Sequence, residues 1–122
     1  VLAQLDRLDE MNATRRAIQS KYNEAFTDLS QVRTPVYSHT VQYYTVQAER
    51  RDELIQYLAD NGFHTSVHFK PLNKMTYWAK AEKTPLGVTN KVWPKLISLP
   101  VYYGLKWTDV ERVIELVKRF YA

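Results

Sequence analysis

The sequence predicts an α+β fold: a small sheet of about three strands covered by helices, with a long helix leading in. Three observations carry that expectation. A stretch with neither glycine nor proline opens the chain at helical spacing. Two runs rich in β-branched and aromatic residues follow it, and a capped apolar stripe closes the chain. A chain of 122 residues is the size of one ordinary domain with one modest core. Its 45% hydrophobic and 25% charged residues place it outside the composition of disordered chains.

The first helix rests on Leu2, Leu5, Leu8, Met11, Ile18, Tyr22, Ala25 and Leu29, an apolar stripe that predicts about eight turns. Asp6, Arg7, Asp9, Glu10, Arg15 and Arg16 occupy its polar face. The stripe is longer than a core of this size needs. Either part of it packs against something outside the chain, or the segment is an ordinary surface helix on its own sheet. The chain starts at Val1 and enters the helical pattern with no capping residue before it, which reads as a truncated start.

Residues 31–38 contain Thr34-Pro35 and read as a connecting loop, because proline cannot continue a helix and extends the residue before it. Residues 40–47, with Val41, Tyr43, Tyr44, Thr45 and Val46, read as a strand. Leu54, Ile55, Leu58 and Ala59 make residues 51–61 a short helix, which Asn61-Gly62 stops. Residues 63–69 alternate, with Phe63, Thr65, Val67 and Phe69 on one face and His64, Ser66 and His68 on the other, and read as a second strand. Beyond Lys70-Pro71, residues 72–82 carry a weak helical pattern through Met75, Trp78 and Ala79 before Pro85 and Gly87 break the chain. Residues 89–95 suit one or two helical turns, and residues 96–99 a short apolar strand closed by Pro100. Thr108 with Glu111 forms a capping box for a last helix, whose stripe is Val110, Val113, Ile114, Val117 and Phe120. Residues 1–30 are thus a linking helix and residues 31–122 an α+β unit, one domain in all.

Several chemistries are closed to this sequence. With no cysteine there are no disulfides, thiolate metal sites or cysteine nucleophiles. With only Gly62, Gly87 and Gly104 there is no glycine-rich phosphate loop, and neither serine-nucleophile nor dinucleotide motifs occur. His64 and His68 would chelate a metal from one face of a helix, but the pattern around them is that of a strand and no acidic residue lies between them. The net charge of +4 comes from scattered lysines and arginines, with doublets such as Arg15-Arg16 and Arg50-Arg51 far apart in the chain, whereas nucleic-acid binders cluster their charge. No apolar run approaches the length that spans a bilayer and no signal-peptide core is seen, so a cytoplasmic protein is expected.

One polar constellation remains. His64, Ser66 and His68 run into Lys70-Pro71-Leu72-Asn73, which places imidazole, ammonium and amide groups where a strand ends in a proline turn. Strand ends and the loops after them are common sites of ligand contact, and the positive charge there suits an anionic or phosphorylated ligand. The same residues are equally consistent with a partly exposed polar strand face. Lys70 and Lys74 are the nearest lysines for imine chemistry, which needs a depressed pKa, but neither has a phosphate cradle around it.

Three segments together resemble one family. They are Arg51-Asp52-Glu53-Leu54 through Leu58, Gly62 and Thr65; then Val67-His68-Phe69-Lys70-Pro71-Leu72; then Ile97-Ser98-Leu99-Pro100 with Leu105, Asp109-Val110 and Val113-Ile114. In order and spacing they are similar to the C-terminal third of the DegT/DnrJ/EryC1/StrS sugar aminotransferases. The resemblance implies the small domain of a fold-type I enzyme, usually a homodimer, that transfers an amino group, commonly from glutamate, to a nucleotide-linked keto-sugar. It implies pyridoxal 5'-phosphate as cofactor, held by a large domain outside this chain together with the Schiff-base lysine, so that no catalytic or cofactor-binding residue maps here and the segment alone is inactive. It assigns His68, Phe69, Lys70 and Asn73 to substrate contact, with Asn73 standing where many members have a second histidine. Neither nucleic acid nor membrane is an expected partner. The competing expectation is a free-standing α+β regulatory or nucleic-acid-binding module, in which at most one of Tyr43 and Tyr44 stacks on a base, since neighbours on a strand face opposite ways.

Overall fold

The computed structural model describes residues 2–36, 39–78, 80–81 and 85–122. Helices α1 (Leu2–Leu5) and α2 (Leu8–Phe26) open the chain, followed by strands β1 (Val32–Arg33) and β2 (Tyr44–Ala48) and helix α3 (Arg51–Asp60). Two 3₁₀ turns, Leu72–Lys74 and Thr76–Trp78, precede α4 (Gly87–Val92), a 3₁₀ turn Trp93–Lys95, β3 (Leu96–Leu99) and α5 (Trp107–Tyr121). The sheet is antiparallel throughout in the order β1-β2-β3, with Val32 opposite Ala48, Val46 opposite Ile97 and Thr45 opposite Ser98.

The period of two in β2 sorts its side chains. Tyr44, Val46 and Ala48 are buried and meet the helices, as do Ile97 and Leu99 of β3. Ile18, Tyr22 and Phe26 of α2, Leu54 and Leu58 of α3, and Val110, Val113, Leu116 and Val117 of α5 complete the core. Tyr22 lies at its centre, stacked on Phe26 with ring centroids 5.8 Å apart and tilted against Tyr44 at 5.1 Å. Its hydroxyl donates to Pro100 O at 3.0 Å and that of Tyr44 to Asn23 Oδ1 at 2.6 Å, so both buried phenols find an acceptor. Helices therefore cover one face of a three-stranded sheet, as the sequence pattern predicts.

The elements differ from expectation in several places, and the strand expected over 40–47 forms only from Tyr44 onward, as β2. The opening helix is not continuous: Arg7, at φ −110° and ψ 5°, interrupts it, and α2 ends at Phe26, leaving Leu29 beyond it. The Arg7 guanidinium donates to the Tyr103 hydroxyl at 2.7 Å, which donates to Glu10 Oε1 at 2.6 Å, tying the break to the loop before α5. Leu2, Leu5 and Leu8 are exposed, so the start of the apolar stripe has no cover within the described residues. Residues 32 and 33, expected in a loop, are β1, because Gln31 O accepts the Glu49 N–H at 2.9 Å and zips the short strand onto β2.

The strand expected at 63–69 forms only a single bridge, Ser66 to Ser98. The capping box also fails. Lys106, extended at φ −70° and ψ 143°, offers its carbonyl to the N–H groups of Asp109 and Val110 at 3.0 and 3.1 Å. Helix α5 thus begins one residue before Thr108, and no side chain caps it. The stop after α3 agrees with expectation. Gly62 sits at φ +87°, with Gly62 N–H to Ala59 O and Phe63 N–H to Leu58 O both 2.9 Å, a Schellman pair that only a left-handed residue closes cheaply. The weak helical pattern expected over 72–82 is two 3₁₀ turns as far as Trp78; Ala79 and Glu82 lie outside the described residues.

Candidate functional site

The face of the sheet turned away from the helices carries the polar residues. Thr45 and Ser98 are cross-strand partners, and because their neighbours Tyr44, Val46, Ile97 and Leu99 point into the core, both hydroxyls lie on the opposite face. The segment after Gly62 runs beside β3 there, held by Ser98 N–H to Ser66 O at 2.7 Å and Ser66 N–H to Ser98 O at 3.3 Å. That bridge puts Ser66 next to Ser98, with His64 and His68 two residues to either side.

These residues line a cavity of about 350 Å³, with Arg15 of α2, Gln42 and Tyr43 before β2, and Leu99, Pro100 and Val101 at the end of β3. His68 is fixed from two sides. Its Nδ1 lies 3.1 Å from Ser98 Oγ, itself 2.8 Å from Thr45 Oγ1, and its ring is stacked on that of Tyr43 at 4.0 Å with 23° between planes. Arg15 reaches the cavity from the helix layer and donates through Nη1 to Val101 O at 3.3 Å and Gln42 O at 3.4 Å. A guanidinium and two imidazoles meet no carboxylate among the lining residues, so the cavity suits an anion.

Of the four residues the sequence singles out, only His68 lines this cavity. Phe69 is 73% exposed at its edge, with its ring edge-on to His68 at 5.1 Å and to Tyr43 at 6.4 Å. Lys70 is exposed. Asn73 is half-buried in the first 3₁₀ turn, and its Oδ1 has no hydrogen-bond partner among the described residues. Arg15 and Ser98 are the residues that the sequence reading passes over as site residues. Arg15 counts there only as polar-face charge, and Ser98 sits inside an apolar strand pattern. Of the tyrosine pair, Tyr44 is fully buried and Tyr43 has His68 against one face of its ring. No group of three or more His, Asp or Glu among the described residues is placed to hold a metal ion, and no helix among them is long and apolar enough to cross a membrane.

The model of the DegT/DnrJ/EryC1/StrS aminotransferase family matches residues 1–118. The spore coat polysaccharide biosynthesis protein SpsC of Bacillus subtilis (strain 168) is 30% identical over an alignment covering 96% of this chain and 34% of that protein. Among solved structures, S. venezuelae DesV in complex with a ketimine intermediate superposes with a TM-score of 0.84 and 28% identity, over 97% of this chain and 34% of that one. Spr1654 from Streptococcus pneumoniae in its PLP form gives 0.85 and 26%, over 97% of this chain and 33% of that one, and was also solved in a PMP form. The chain spans about a third of the length of each of these proteins.

Proposed function

Since the chain belongs to the DegT/DnrJ/EryC1/StrS aminotransferase family, we propose that it is the substrate-facing C-terminal domain of a pyridoxal-phosphate-dependent enzyme. That enzyme converts a nucleotide-linked keto-sugar to an amino-sugar for surface polysaccharide or glycoside biosynthesis. The observation that carries this reading is the cationic cavity on the helix-free face of the sheet, where His68 is held in a fixed orientation beside Arg15. Charge-assisted hydrogen bonds from these groups suit the diphosphate of a nucleotide sugar. Phe69, whose ring lies edge-on to His68, and the following Lys70 and Asn73 are proposed to meet the rest of the substrate.

The lining does not fit the cofactor itself. Among its residues there is no lysine to form an imine and no carboxylate to face a pyridinium nitrogen. Those groups belong to the part of the enzyme outside this chain, where the cofactor supplies the electron sink for amino-group exchange. The work of this chain is to bind, orient and enclose the sugar nucleotide. The whole enzyme is a cytoplasmic homodimer that takes its amino group from glutamate, and this chain alone is inactive.

Incubating the chain with pyridoxal phosphate and reducing with borohydride tests the division of labour. No defined lysine is expected to be labelled stoichiometrically. Stoichiometric labelling at Lys70 or Lys74 would place imine chemistry on this chain and overturn the reading.

A further inference from the structure

We propose that Ser98 is a positioning residue that, with Thr45 behind it, holds His68 in the tautomer whose Nε2 carries the hydrogen and donates it into the cavity. The inference deepens the reading of His68 as a substrate contact and rests on it for its functional meaning.

The hydrogens can be counted. Ser98 Oγ has two polar neighbours, His68 Nδ1 at 3.1 Å and Thr45 Oγ1 at 2.8 Å, and a single hydrogen to give. If Ser98 donates to Nδ1, it accepts from Thr45, and both hydroxyl hydrogens are used. If Nδ1 instead donates to Ser98, one hydroxyl hydrogen is left with no acceptor among the described residues: that of Thr45 if Ser98 donates to it, or that of Ser98 itself if it accepts from both neighbours. Ser98 is 6% exposed and Thr45 half-buried, so leaving either hydroxyl hydrogen without a partner costs more than using both. The first arrangement is therefore the stable one, and it leaves Nδ1 as acceptor and Nε2 as donor.

Geometry fixes the pair as firmly as chemistry does. Thr45 and Ser98 are register partners in β2 and β3, so their hydroxyls sit on a rigid, hydrogen-bonded ladder rather than on a loop. The Ser66–Ser98 backbone bridge brings the histidine strand alongside, and Tyr43 holds the ring plane. Among the described residues Nε2 has no hydrogen-bond partner, which leaves it for a ligand in a cavity lined by cationic and neutral groups. A neutral N–H donor aimed at a phosphate or sugar oxygen is the group such a site offers.

The test is the long-range ¹H–¹⁵N spectrum of the histidine rings in this chain without ligand, with His68 assigned by His68→Gln. The expected wild-type pattern is one tautomer, with a pyridine-like Nδ1 shifted by an accepted hydrogen bond and a pyrrole-like Nε2. Ser98→Ala should shift the Nδ1 signal and average the ring toward free histidine, Ser98→Thr should restore the pattern, and Thr45→Val should keep the Nε2–H form. A pyrrole-like Nδ1 in the wild type would overturn the assignment, and so would a His68 ring unchanged in a folded Ser98→Ala variant. If Ser98→Ala does not fold, the wild-type spectrum still decides, and a Thr45→Val ring that switches to the Nδ1–H form would overturn the role given to Ser98. A nucleotide-sugar titration that shows no binding sinks the substrate reading and leaves the ring spectrum untouched, so the two failures are distinct.

Discussion

The Tyr43 ring lies 4.0 Å from the His68 ring with only 23° between their planes, so a residue just outside β2 sets the attitude of an imidazole 25 positions later. Aromatic pairs contribute about 0.5–1.5 kcal/mol beyond the area they bury, and a factor of ten corresponds to about 1.4 kcal/mol. Tyr43→Ala should therefore weaken binding of a nucleoside diphosphate sugar by about 2- to 10-fold, while Tyr43→Phe stays near wild type. Calorimetric titration of the three proteins measures it.

Arg15 ties the helix layer to the cavity through Val101 O and Gln42 O. Replacing it with lysine keeps the charge but loses the planar fork, and replacing it with glutamine loses both. A hydrogen bond to a charged group is worth about 1.5–3 kcal/mol, so Arg15→Gln should weaken nucleotide-sugar binding by about 10- to 100-fold, with Arg15→Lys in between. The affinity of Arg15→Gln should also fall less steeply with salt than that of the wild type.

The account of the core predicts a large cost at Ile97, which is fully buried opposite Val46. Ile97→Ala should destabilise the chain by about 2–5 kcal/mol in denaturant titrations, because the rigid sheet cannot close the cavity left behind.

Alkaline pH should loosen the C-terminus. Burial pushes the Tyr121 phenol from its ordinary 10 up to about 12, and its hydroxyl donates to Glu49 O. The folded pKa is raised above the unfolded one, so this contribution to stability is complete below pH 10 and is lost as pH rises toward 12. Tyr121→Phe has no such group to titrate. The stability difference between wild type and Tyr121→Phe should thus move against the wild type across that window, as followed by urea midpoints.

The parts of the fold legible in the sequence are those set by local chemistry. Leu54 and Leu58 with the Asn61-Gly62 stop define α3 to within a residue, since a Schellman cap needs only its own turn. Residues 32 and 33 are a strand only because β2 lies beside them, and nothing within two residues announces a partner 14 to 16 positions away. The alternation of residues 63–69 does place His64, Ser66 and His68 on one face, as they line one cavity, although a single bridge is all the pairing formed. Arg15 and Ser98 are illegible for a different reason. Each belongs to an element whose pattern explains it already, and its place in the site arises only when α2 and β3 are brought together.

The most direct measurement compares wild type with His68→Ala in the proposed full-length enzyme, assayed for amino transfer to a nucleotide-linked keto-sugar. A residue that orients the substrate should cost at least about 10-fold in kcat/KM when removed, the loss of one well-placed hydrogen bond to a charged group. Activity indistinguishable from wild type, in a protein of unchanged stability, would show that the His68 turn is scaffold and contradict the account.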